Sequence, residues 1–147
     1  MAEATAEYTG LTEFQNYLTL LFEVDALFCN DDRHLNNIAV IEQAGDYDYC
    51  PIFDNGAGLL SNIQISQMDI APEALIKVLT TRPFNTTFTR QMNSARSLYG
   101  NRLKMPKLSA AEIKDTVRPM LAYYTERDRG IIADRVTKCI LLRQKAL

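Results

Sequence analysis

The stretch that most constrains this chain is a short hairpin with oxygen-bearing side chains at both of its ends. It reads Asp32-Arg33-His34-Leu35-Asn36-Asn37, then sixteen residues, then Asp54-Asn55-Gly56. Within those sixteen, Ile38-Ala39-Val40-Ile41 is a β-rich run, Gln43 to Asp48 carries the turn signal Gly45-Asp46, and Tyr49 to Phe53 is a second short run. The pattern predicts a two-stranded hairpin. A lone hairpin is marginal in water, so it must lean on other elements. Paired strands lie about 5 Å apart, so the hairpin brings Asn37 and Asp54 side by side.

That juxtaposition suits phosphoryl transfer. Mg²⁺ takes oxygen ligands, typically one or two carboxylates completed by phosphates and water. Asn37 can supply a neutral side-chain oxygen and Asp54 a charged one. Asp32 is then left to accept the proton of an attacking hydroxyl. Duller readings stand beside these. Asp32 alone could be a turn residue, and Asp54-Asn55-Gly56 could be plain turn chemistry. Asp31 and Asn36 share the five-residue separation, but Asn37 leads directly into the apolar run. Arg33 could pair with Asp31 or a Glu, or contact a phosphate. His34, the single histidine, could be a satisfied structural residue or a phosphate contact.

Asp32-Arg33-His34-Leu35-Asn36-Asn37-Ile38 with Pro51-Ile52-Phe53-Asp54-Asn55-Gly56 resembles the catalytic loop and metal-binding loop of HipA-like serine/threonine kinases. Phosphatidylinositol kinases carry a similar pair of blocks. The resemblance implies a helical kinase C-lobe, with Asp32 catalytic, Asn37 and Asp54 holding Mg²⁺, and Arg33 and His34 near the ATP phosphates. At Asn55 the chain departs from Asp-Phe-Gly and lacks the aromatic that packs under that loop in many kinases. Only thirty-one residues precede Asp32, Gly10 is their one glycine, and the first lysine is Lys77. A phosphate-covering loop and an ATP-contacting lysine are therefore missing. The resemblance implies the C-terminal half of a kinase, 1–147 forming one domain, with a separate N-lobe or antitoxin-like protein and a protein substrate as partners.

The 147 residues suit a single domain with one proper core. Residues 1–76 hold thirteen Asp/Glu and only Arg33, a net of −12, while 77–147 hold fifteen Lys/Arg and five Asp/Glu, a net of +10. Either the halves fold against each other, or an acidic cleft sits beside a basic surface. Direct nucleic-acid binding is not expected. Cys29, Cys50 and Cys139 are far apart and form no CxxC, which argues against a zinc site or disulfide framework and for a reducing cytoplasm. The acidic start does not read as a signal peptide, and no apolar run approaches membrane-spanning length.

The remaining pattern is helical, so the expected class is mainly α with one small hairpin. Residues 1–8 are expected to fray. Thr12 to Gln15 reads as a capping box opening a helix to about Cys29, with Phe14, Tyr17, Leu18, Leu21, Val24 and Phe28 inward. A loop should run from Gly56 to Met68. Helices are expected over Glu73–Thr80 after Pro72, over Thr86–Tyr99 with Phe88, Met92, Ala95 and Tyr99 inward, and from the Ser109–Glu112 capping box toward Tyr124, interrupted at Pro119. A last helix should span Glu126–Gln144 with Ile131, Ile132, Val136 and Ile140 inward.

Overall fold

A computed structural model describes residues 1–63 and 68–147. Among the described residues the chain forms α1 (Ala2–Thr9), α2 (Phe14–Phe28), β1 (Val40–Gln43), β2 (Asp46–Tyr49), α3 (Pro72–Val78), α4 (Phe88–Tyr99), α5 (Ala110–Val117) and α6 (Glu126–Arg143). The fold is mainly helical with one antiparallel two-stranded sheet, and no described helix is long and apolar enough to cross a membrane.

Helix α2 is the central element. Its apolar residues are not confined to one stripe: Phe14, Leu18, Leu21, Phe22, Ala26 and Leu27 are all buried. Burial on so many sides lets α2 serve three clusters. Phe14, Leu18, Leu21 and Phe22 carry the hairpin through Ile38, Val40, Tyr49 and Ile52. Ala26 packs with Cys29, Leu60, Phe88, Met92 and Cys139, so α4 and α6 meet there. Leu27 joins Ile113, Ile132, Val136 and Ile140. The expected inward residues Val24 and Phe28 are only half-buried, and Ile131 is half-exposed on α6.

Several expectations need correction at element ends. Residues 1–8 do not fray: they form α1, closed by Gly10 in the left-handed region (φ 76°) with its N–H on the Ala6 carbonyl. Glycine adopts that conformation at little steric cost. The turn through Gly10 keeps Thr12 out of the helix, so α2 begins after Glu13 and the Thr12 capping box does not form. The Tyr49 hydroxyl instead accepts the Glu13 N–H at 3.2 Å. The Ser109–Glu112 capping box does form, and Pro119 falls where α5 gives way to the 3₁₀ segment Arg118–Tyr123. The hairpin sits closer to its turn than expected. Ala44 and Gly45, both at positive φ, make a two-residue connection, and Val40 pairs with Tyr49. A tight turn of that hand matches strand twist and draws polar residues into the ladder. Pro51 has no N–H to extend it.

The segment after Gly56 is packed where it is described. Gly58 is buried, and a Cβ there would meet the Phe28 carbonyl oxygen at 3.1 Å. Arg135 donates from Nε to the Leu60 carbonyl at 2.8 Å. The part of the expected loop at 64–67 lies outside the described residues. The acidic and basic halves are joined by ion pairs Glu23–Arg96, Asp32–Arg82 and Glu73–Lys138.

Candidate functional site

The site is built where α2 ends. Cys29 turns the chain in the left-handed region (φ 53°), with its N–H on the Asp25 carbonyl. The following loop is anchored by spaced buried residues: Asn30 and Arg33 are fully buried and Asn37 nearly so. Between them, Asp32 is exposed and His34 half-exposed. From the other side, Thr81 Oγ1 donates to the Asn30 carbonyl at 3.3 Å and the Arg82 N–H to the Asp31 carbonyl at 3.1 Å. The loop 79–87 thus buttresses the backbone that carries Asp32.

Arg33 is the organising residue, and its role differs from the expected phosphate contact. Its Nε and Nη2 grip Asp25 at 3.0 and 2.9 Å. Nη1 donates to the carbonyls of Asn37 at 3.2 Å and Phe53 at 2.5 Å, and Nη2 also reaches Asn55 Oδ1 at 2.6 Å. A guanidinium has five N–H donors, and all five are taken. A side chain with no exposed surface and no free donor cannot hold a ligand. The expected partners Asp31 and Glu are also replaced, by Asp25 on the preceding helix. Burial pushes the Asp25 carboxyl above its ordinary range, and the bonds from Arg33 and Asn30 pull against that shift.

One Arg33 nitrogen therefore holds the backbone on both sides of the hairpin, at Asn37 before β1 and at Phe53 after β2. Asn37 Nδ2 donates to the Asp32 carbonyl at 3.3 Å. With its donor so engaged, the group that Asn37 can offer a cation is its oxygen. This contact links Asp32 with Asn37, whereas Asn36 of the alternative register is exposed. Asp54 is exposed, and its carboxylate makes no hydrogen bond or ion pair among the described residues. Its backbone lies at φ 55°, a left-handed conformation that Asp tolerates better than most residues and that concentrates at functional sites. The His34 ring has no hydrogen bond among the described residues.

Arg82 was not singled out from the sequence as functional: legible only as part of a helix-breaking Arg-Pro-Phe-Asn, it pairs with Asp32 at 3.2 Å. Asp31 has its carboxyl raised by burial and by the adjacent Asp32 carboxylate, against a backbone hydrogen bond and Arg82. Between α2 and α4 opens a groove of about 930 Å³ whose walls include Leu18, Phe22, Leu35, Phe84, Leu98 and Arg90.

Asn37 Oδ1 and the Asp54 carboxylate are donor types that Mg²⁺ takes together with phosphate and water. Among the described residues no three His, Cys, Asp or Glu side chains cluster as metal ligands. One carboxylate and one amide oxygen leave most of an octahedral shell to phosphate and water, as Mg²⁺ prefers. Comparison with family models, with curated proteins and with solved structures found no match.

Proposed function

We propose that this chain is the catalytic-loop half of a HipA-like protein kinase, transferring the γ-phosphoryl of Mg-ATP to a Ser or Thr hydroxyl of a protein. The observation that carries the reading is the Arg33 guanidinium, which holds the Asn37 and Phe53 carbonyls together while Asn37 Nδ2 rests on the Asp32 carbonyl. In this reading Asn37 Oδ1 and the Asp54 carboxylate hold the ion. Bound Mg²⁺ supplies charge neutralisation on the phosphate oxygens. Asp32 takes the hydroxyl proton as the new oxygen–phosphorus bond forms and the bond to ADP breaks. Arg82 holds the Asp32 carboxylate at 3.2 Å and brings a positive charge to the mouth of the site.

In this reading adenine and β-phosphate contacts come from outside these 147 residues, and positioning supplies most of the catalysis in phosphoryl transfer. The chain alone then binds Mg-ATP weakly. Titrating Mg²⁺ and ATP, singly and together, into the wild type and Asp54→Asn tests this. Binding that needs both ligands and Asp54 supports the reading; Mg-ATP binding that Asp54→Asn leaves intact refutes it. A second reading, a non-catalytic module acting through protein partners, is favoured by the apolar groove between α2 and α4. A complex with a kinase partner that forms equally with Asp54→Asn and in the absence of nucleotide would select it.

A further inference from the structure

Three consecutive residues around Asp54 are each held by a buried donor. The Phe53 carbonyl accepts from Arg33 Nη1 at 2.5 Å, the Asp54 carbonyl from Asn30 Nδ2 at a long 3.4 Å, and Asn55 Oδ1 from Arg33 Nη2 at 2.6 Å. Both donors come from side chains with no exposed surface. The Asp54 carboxylate makes no hydrogen bond or ion pair among the described residues. Its left-handed backbone is a conformation that persists only where the surroundings over-determine it.

We propose that Asn55 is a positioning residue. Its side-chain oxygen latches the Asp54 loop onto the guanidinium that also carries Asn37, so the two oxygen donors are assembled before any metal or nucleotide arrives. The consequence for metal binding rests on the reading of Asn37 and Asp54 as ligands; the latch itself is a property of the ligand-free protein. Asn55 suits the task because it is exposed while its oxygen reaches a buried cation. Removing its side chain leaves no core cavity. It does leave one Arg33 N–H unpaired in a buried setting, and that loss falls on the closed loop alone. Hydrogen bonds to charged groups are the strong ones, so the closed state is expected to weaken about tenfold or more.

The test uses the full chain without ligands. The Gly58 N–H donates to the Asn55 carbonyl at 3.0 Å and reports on loop closure through hydrogen exchange. Asn55→Ala is expected to speed Gly58 exchange about tenfold or more, to shift the Arg33 guanidinium proton resonances, and to leave exchange in α4 and α6 unchanged. Asn55→Asp, which keeps an acceptor for Arg33, should restore slow exchange. Gly58 exchange in Asn55→Ala within about twofold of wild type, far short of one lost charged hydrogen bond, overturns the latch. So does equal loosening in Asn55→Asp. A parallel titration with Mn²⁺ and ATP separates latch from site. Wild-type binding that Asn55→Ala weakens supports the positioning role, and wild-type binding that Asn55→Ala leaves unchanged refutes that role alone. Absence of binding to the wild type defeats the metal-site reading, and the positioning role with it.

Discussion

Replacing Arg33 with Met removes the residue on which the site hangs, at similar length and without its charge. The side chain is fully buried, and its partner Asp25 is 1% exposed. The variant would therefore leave a buried carboxylate with no cation, an Asn55 oxygen unpaired, and the Asn37 and Phe53 carbonyls without their shared donor. Breaking a buried pair from one side costs about 3–5 kcal/mol, a large part of the ~5–15 kcal/mol that holds a domain together. Urea unfolding followed by the helical circular dichroism signal measures it. Asp25→Leu combined with Arg33→Met removes both charges, so the double variant should be more stable than the sum of the single losses implies, by about 2 kcal/mol or more. The pH dependence has a definite sign. Burial already raises the Asp25 carboxyl and Arg33 opposes the shift; without Arg33 the folded-state pKa rises further. The folded variant then binds a proton that the unfolded chain does not. Its deficit is full above that raised pKa and shrinks as pH falls toward the ordinary carboxylate value. An Arg33→Met protein within about 1 kcal/mol of wild type, or a deficit that grows on acidification, would refute the argument.

Three further outcomes follow from the same geometry. Asp54→Asn should leave the melting temperature unchanged or slightly raised, because the carboxylate is exposed and unpartnered among the described residues, and should abolish stabilisation by Mg-ATP. That stabilisation is about 2.7 kcal/mol at a hundredfold excess over Kd, and a loss of more than about 2 kcal/mol in the ligand-free variant would mean Asp54 satisfies buried donors instead. Calorimetric titration should place the isolated chain's affinity for Mg-ATP at hundreds of micromolar or weaker, about 5 kcal/mol of net binding; a Kd below about a micromolar would reveal a complete nucleotide site. Gly58→Ala should lower stability by roughly 1 kcal/mol or more, read by denaturant midpoint, since its Cβ would meet the backbone oxygen of Phe28 at 3.1 Å.

Elements with strong local signals were legible in the sequence. Pro72 opens α3, Ser109 and Glu112 cap α5, and Pro119 interrupts the helix that follows, because each acts on its own backbone. The hairpin was legible, but its strands were shifted, since an Ala44-Gly45 turn at positive φ decides the register more strongly than apolar content does. Helix α1 was missed because its closure depends on one glycine and its apolar contacts are with α2. The site shows the same division. The five-residue separation of Asp32 and Asn37 was readable, but the bond from Asn37 Nδ2 to the Asp32 carbonyl was not. Asp25 was not, because an acid in a largely apolar helix carries no signal until the chain folds back and meets Arg33 eight residues later. Arg82 lies fifty positions from Asp32 and reaches it only through the packing of the loop 79–87. Glu23 is another buried acid hidden in α2, accepting from Arg96 and from the backbone N–H of Arg102.

The most direct test of the central claim is the position of a divalent cation bound with a nucleotide. Crystals of the chain soaked with Mn²⁺ and a non-hydrolysable ATP analogue should give one anomalous peak in contact with both Asn37 Oδ1 and an Asp54 carboxylate oxygen. A hard ion in an octahedral site of this kind sits a little over about 2 Å from each ligand oxygen, with phosphate and water completing the shell. A peak held by other acids with Asn37 and Asp54 apart from it, or no peak in a site that has admitted the nucleotide, would contradict the account.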